Sequence, residues 1–428
     1  MHIPDLYSIF LKSTGVSTDT RTVSKGNLFF CLKGENFDGN TFAQKAIQQG
    51  ASFVVVDDPE IANENLSFIL VKNSLICLQE LARYHREQFS IPLIGLTGSN
   101  GKTTTKELIF SVLSQRYNVL ATKGNLNNHI GVPLSLLQIK STTEIALIEM
   151  GANHLNEIAF LCQLAQPTIG YITNFGKAHL EGFGGIEGVI QGKSELYRFL
   201  AKKEGTVVVN SDDSKQLELT QAITSFSFGE QSPSDVKIQT LNSSDEKLRV
   251  EVEGKKIESH LTGSYNISNI QAAIAFGIYF NCTIAEIKHG IISYVPSNSR
   301  SEWIKTKTND LLLDAYNANP SSMRAALLAF AQQKQKGKAV ILGDMLELGD
   351  YSAEEHQHIV DLLEENEFNP IVLVGPEFSK TKLKKKKLHR FKTTDEAFAF
   401  FEENPIHQQC ILLKGSRGIA LEKLLPLL

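Results

Sequence analysis

Apolar runs of strand length alternate along this chain with longer segments of helical spacing, and the alternation falls into three stretches. In residues 1–88, LFFCLKG (28–34) and SFVVVDD (52–58) are apolar, aromatic and β-branched, which predicts strands. Between them FAQKAIQQGA has helical spacing and a glycine stop. The helix-like SLICLQELARYHREQF (74–89) then leads to Pro92, and a boundary is expected there.

Residues 89–296 continue in the same manner, with strand-like IPLIGLT, TEIALIEMGA (143–152), TIGYITN and GTVVVN separated by helical segments. One helix is expected over IEGVIQGKSELYRFL. VKIQTL and KLRVEVEGKKIESHL switch to period two around an E-G-K turn, which predicts an antiparallel addition. An alanine-rich helix beginning near Asn266 closes the stretch. Pro296 and the polar PSNSRSE mark the next boundary. In residues 297–428, LLLDAY, AVILGD, PIVLVG and CILLKGS alternate with helical segments and a last helix, GIALEKLLPLL. That pitch predicts a parallel sheet with right-handed crossovers, Rossmann-like but without GxGxxG. The fold class is therefore α/β in three domains: a small N-terminal unit, a central P-loop-type parallel sheet with an antiparallel addition, and a C-terminal Rossmann-like unit.

Composition narrows the function classes. The 43 basic and 47 acidic residues leave a net charge of −4, so no nucleic acid or other polyanion is expected as partner. The run KLKKKKLHR (382–390) reads as solvated surface. No stretch reaches the ~18 apolar residues of a membrane span. MHIPDLYSIF lacks a signal-peptide layout, and a cytoplasmic protein is expected. Five scattered cysteines without a CxxC pair argue against a disulfide framework and a zinc site.

The sharpest chemical signal is IGLTGSNGKTTT (94–105) between a strand and a helix. Gly98 and Gly101 let the N–H groups around Ser99 and Asn100 turn toward a phosphate, and the helix N-terminus starting with Thr104 adds its dipole. Lys102 is placed to reach outer phosphates and Thr103 to hold Mg²⁺. The pattern is shorter than the eight-residue P-loop, since Leu96 stands five before Gly101. Glu149 ends a strand, where a phosphate-site Mg²⁺ takes a carboxylate. His179 follows another strand, in GKAHLEGFGG. Polar residues also end the C-terminal strands: Asp314, Asn317 and Asn319; Asp344 and Glu347; Lys414, Ser416 and Arg417. On spacing alone, Lys193 reads as a solvated helix charge, while Asn266 and Asn269 either cap a helix or face a base. Arg21, Lys33 and Asn36 lie on polar loops that either solvate turns or grip an anionic, uridine-like group.

Together these motifs resemble the Mur ligases, ATP-dependent amide-forming enzymes of peptidoglycan synthesis. TGSNGKTTTKE is shared across that family. ITNFGKAHLEGFGG, LLDAYNANPSSM, ILGDMLELG and LLKGSRG resemble the branch that joins D-alanyl-D-alanine to a UDP-N-acetylmuramoyl-tripeptide. The sister branch's DNPR-type motif is absent. The resemblance implies ATP and two Mg²⁺ ions as cofactors, an acyl phosphate intermediate, a monomer, and closure of the C-terminal domain before chemistry. It also implies roles by position. Lys102, Glu149, His179, Lys193 and Arg300 would be catalytic, with Thr103, Glu149, His179 and a carbamylated Lys193 near metal. Asn266 and Asn269 would lie by the adenine, preceded here by Tyr265 where the family usually has histidine. Arg300, Asp314 and Asn317 would meet ATP from the C-terminal domain, and the loops with Thr20, Arg21, Lys33 and Asn36 would hold the UDP-sugar.

Overall fold

The computed structural model describes residues 1–63, 65–231, 233–241, 247–296, 300–335, 337–382 and 388–428. Most of the lysine run (383–387) and part of PSNSRSE (297–299) therefore lie outside the described residues. Three α/β sheets organise the chain.

The first sheet sets Val16–Ser17, Leu28–Phe30, Phe53–Val56 and Phe68–Leu70 side by side, all parallel. The loops carrying Thr20, Arg21, Lys33 and Asn36 leave the carboxyl ends of its first two strands. The second of these loops closes into a small hairpin, Lys33–Gly34 against Phe37–Asp38. Helix Ser74–Glu87 then bridges to the second sheet's covering layer. Buried Arg86 donates to the carbonyls of Ala165 (3.1 Å) and Ile91 (3.2 Å), and the His85 ring bonds Ile139 O (2.9 Å).

The second sheet has nine strands. Its phosphate-loop strand Leu93–Thr97 lies between Ile145–Glu149 and Ile169–Ile172, parallel to both. Helices cover both faces, which is why LIGLT and IALIE read as unbroken apolar runs rather than alternating ones. The expected antiparallel addition is present. Val236–Leu241 pairs parallel with the sheet on one side and antiparallel with Arg249–Val252 on the other. Arg249–Val252 then pairs with Lys255–Glu258 through Glu253 (φ 49) and Gly254 (φ 70). Two positive φ values make a turn whose twist suits a tight hairpin.

The third sheet departs from the all-parallel expectation. Strand Glu302–Lys305 pairs antiparallel with Asp310–Leu313, because four connecting residues cannot make a crossover but do make a hairpin. The remaining strands, Cys410–Lys414, Lys338–Gly343, Ile371–Val374 and Leu388–Phe391, are parallel. Leu388, His389 and Arg390 thus form an edge strand instead of a solvated charge run. The expected last helix is two 3-10 turns, Arg417–Ile419 and Leu421–Leu427. Ala420 in the left-handed region (φ 55) separates them, and Pro426 lacks an N–H to continue an α-helix. The expected helix 186–200 is likewise two, Ile186–Lys193 and Glu195–Lys202, broken at Ser194.

Candidate functional site

Register brings the phosphate loop and its carboxylate together. Leu96 pairs with Glu149 and Thr97 with Ile172, so three strands end at one level and the loop starts there. Gly98 (φ 144) must be glycine, since a Cβ would sit 1.9 Å from Thr173 Oγ1. Gly101 (φ 78) takes the left-handed conformation just before helix Lys102–Leu113. Lys102 folds back so that Nζ donates to Gly98 O (2.7 Å), which leaves the ammonium over the loop. Burial lowers the Lys102 pKa, Glu149 raises it, and the Arg300 guanidinium lowers it further. A triphosphate would supply the anionic charge that these two cations lack.

Glu149 is 1% exposed. Its Oε1 accepts from Asn127 Nδ2 (2.9 Å) and Thr103 Oγ1 (3.2 Å), while Oε2 is buried with no hydrogen-bond partner. Lys106 Nζ lies 3.8 Å from that Oε2. An orphaned carboxylate oxygen beside a threonine hydroxyl fits a hard cation, which takes one or two protein oxygens and completes its shell with phosphate and water. Among the described residues no three His, Cys, Asp or Glu side chains gather as a protein-only metal cage.

A cavity of about 800 Å³ opens from this loop and is closed on its far side by the third sheet. Arg300, Asp314, Asn317 and Lys414 line it with Lys102, and so do Asn266 and Asn269. The Arg300 guanidinium stacks on Tyr316, 3.7 Å from the ring centroid. Buried Lys414 donates to Asp314 Oδ2 (2.5 Å). Asn319 Nδ2 donates to Asn100 Oδ1 (2.7 Å), tying the C-terminal sheet to the phosphate loop. Asn266 makes no capping bond: its Nδ2 donates to Thr262 O (2.8 Å), and its Oδ1 accepts from Asn269 Nδ2 (2.8 Å). That pair therefore supports the cavity wall rather than the helix end.

His179 reaches the same cavity in a left-handed conformation (φ 54), and its Nδ1 is bonded to Glu347. Two residues earlier, Lys177 Nζ meets Glu355 Oε1 (2.5 Å). Lys193 is not solvated. It is fully buried behind the cavity, donating to Ala152 O (3.0 Å) with the Phe183 ring 5.0 Å away. Burial, reinforced by Lys102, drives its pKa well below the usual lysine value, against the opposing charges of Glu157 and Glu195. A lowered lysine pKa raises the share of the unprotonated amine, the nucleophilic form.

Three successive segments match known family domains: residues 12–86 the Mur ligase family catalytic domain, 96–277 the Mur ligase middle domain, and 299–417 the Mur ligase glutamate ligase domain. The UDP-N-acetylmuramoyl-tripeptide–D-alanyl-D-alanine ligase of Bacillus subtilis (strain 168) is 35% identical over 424 residues, covering 96% of this chain and 92% of that protein. The chain belongs to the Mur ligase family. Its fold matches a crystal structure of MurF from Acinetobacter baumannii with a TM-score of 0.87 at 31% identity, covering 99% of this chain and 97% of that one. It also matches the MurF ligase of Thermotoga maritima, solved in complex with ADP, with a TM-score of 0.84 at 26% identity and coverage of 98% and 97%.

In this Mur ligase the four N-terminal site candidates stand apart from the cavity. Arg21 is exposed and paired with Asp19 (2.5 Å), and Lys33 is paired with Asp57 (3.1 Å). Thr20 is half-buried and Asn36 exposed. All four sit at the carboxyl edge of a parallel sheet, where ligands bind in such folds. Sequence reading missed Asn127, on the stretch NLNNHI that lines the cavity. Its only local signal was three asparagines in four residues after a strand.

Proposed function

We propose that this protein joins D-alanyl-D-alanine to a UDP-N-acetylmuramoyl-tripeptide with ATP, giving the UDP-pentapeptide, ADP and phosphate. The observation that carries the reading is the cavity between the phosphate loop and the C-terminal strand ends. It unites Lys102, the orphaned Glu149 oxygen and Arg300, and the MurF relatives span the whole chain. We take the domains as residues 1–88, 89–296 and 297–428, with the UDP-sugar held by the first through Thr20, Arg21, Lys33 and Asn36.

In this reading Gly98 to Thr104 cradle the ATP phosphates, Lys102 neutralises the outer ones, and Asn266, Asn269, Asp314 and Asn317 hold the nucleoside. Thr103 and Glu149 would hold Mg²⁺, which supplies charge neutralisation for phosphoryl transfer. The tripeptide's terminal carboxylate attacks the γ-phosphorus, and the bond to the ADP oxygen breaks. Arg300 offsets the charge that develops there. The free amine of D-alanyl-D-alanine then attacks the acyl carbon, and phosphate leaves as the amine loses its proton. The contacts of Asn319 and Lys177 across the domains support water exclusion from the acyl phosphate. His179 and a carbamate on Lys193 would serve a second Mg²⁺.

ADP release with ATP, Mg²⁺ and the UDP-tripeptide should depend on D-alanyl-D-alanine, with the UDP-pentapeptide appearing in the mass spectrum. Release that ignores the dipeptide, with no new amide, would refute the reading. Asn127→Ala removes the donor that fixes Glu149 Oε1, and the Mg²⁺ concentration for half-maximal turnover is expected to rise about tenfold. An unchanged Mg²⁺ titration would remove Asn127 from the metal's support.

A further inference from the structure

Arg300 enters the cavity on a long, flexible side chain, so its placement depends on how the backbone beside it is held. The next residue, Ser301, has φ 48, a left-handed conformation that serine adopts only when its surroundings enforce it. Two restraints do so. Ser301 N donates to Asp314 Oδ1 (3.2 Å), at the end of a C-terminal strand. Ser301 Oγ shares a hydrogen bond with the Tyr265 hydroxyl (2.9 Å), which comes from the 3-10 turn Ser264–Asn266 of the central region. Two residues on, Trp303 Nε1 donates to Thr262 Oγ1 (3.0 Å). The segment after Arg300 is thus pinned twice to 262–265, and the kink at Ser301 lays the guanidinium on Tyr316 facing the phosphate loop.

From this geometry we infer that Tyr265 is a positioning residue: its hydroxyl, acting through Ser301, sets Arg300 against the nucleotide. The inference rests on reading the cavity as the ATP site. It concerns a contact between the two halves of the site that exists because residue 265 carries a hydroxyl reaching across the junction.

The test is a double-mutant cycle on the full-length protein, reading kcat/KM for ATP from ADP release, with thermal unfolding recorded for every variant. Tyr265→Phe removes only the hydroxyl and is expected to lower kcat/KM for ATP roughly three- to tenfold, the size of one lost hydrogen bond, with Tm lowered by no more than about a few degrees. In an Arg300→Ala background the same change should cost less than about twofold, because the group it positions is gone. Ser301→Ala should reproduce the Tyr265→Phe loss, and the pair should not add. An equal loss in both backgrounds, or none in the parent protein, overturns the positioning role. If Lys102→Ala alone lowers kcat/KM for ATP while Arg300→Ala alone does not, the positioning role is overturned and the nucleotide-site reading stands. No loss in either of those two variants overturns that reading itself.

Discussion

Lys102→Ala is expected to lower the rate of ADP formation by about a thousandfold or more while the protein stays folded. Positioning and charge neutralisation are most of what an enzyme contributes to phosphoryl transfer, so losing the cation over the loop removes a main contribution. Stability should not fall with activity. The folded-state pKa of Lys102 is lowered, chiefly by burial, so the unfolded chain binds the proton more tightly than the native one. In the pH interval between the folded value and the unfolded value near 10.5, native stability therefore rises with pH, and below it the buried ammonium is a net cost. Removing it relieves that cost. Steady-state ADP release and thermal unfolding of the same preparation test both halves, and unchanged turnover would refute the phosphate assignment.

Lys193→Met is expected to abolish ligation, by at least about a hundredfold, with bicarbonate failing to restore it. The amine is fully buried and near a second cation, and these outweigh the Glu157 and Glu195 charges that favour the ammonium. The lowered pKa favours the unprotonated amine, the form that adds CO₂ and releases a proton, and the proposed carbamate would be an anion near the Lys102 cation. Methionine fills similar volume without a charge to desolvate, so in CO₂-depleted buffer the variant should melt no lower than the parent protein. A sample equilibrated with ¹³C-bicarbonate should show a carbamate resonance that Lys193→Met lacks. Retained activity in the variant would remove the role, whatever its stability.

The phosphate loop was legible because its chemistry is local. Gly98, Gly101, Lys102 and Thr103 are neighbours in sequence, and the strand and helix flanking them have strong periodicity. Glu149 was legible for a related reason, since a carboxylate ending an apolar strand has few structural uses. Lys193 was misread from spacing. Helical periodicity says which residues share a face but not what covers that face, and Phe183 and Ala152 cover this one. Asn127 was missed because its partner Glu149 is 22 residues away, and only the packing of the intervening segment makes them meet.

By itself the sequence determined the α/β class, the strand–glycine turn–helix at residues 93–113 and the family, because these rest on alternation of apolar residues and on motifs a few residues long. The C-terminal antiparallel strand Glu302–Lys305 and the edge strand Leu388–Phe391 escaped it, since short half-buried strands carry little periodicity. Only the tertiary structure decided the burial of Lys193, the engagement of His179 by Glu347, and the hold of Tyr265 on Ser301. Each is a contact between segments far apart in the chain, set by strand register and by the docking of one sheet's loops on another's. No local pattern of side chains encodes that geometry.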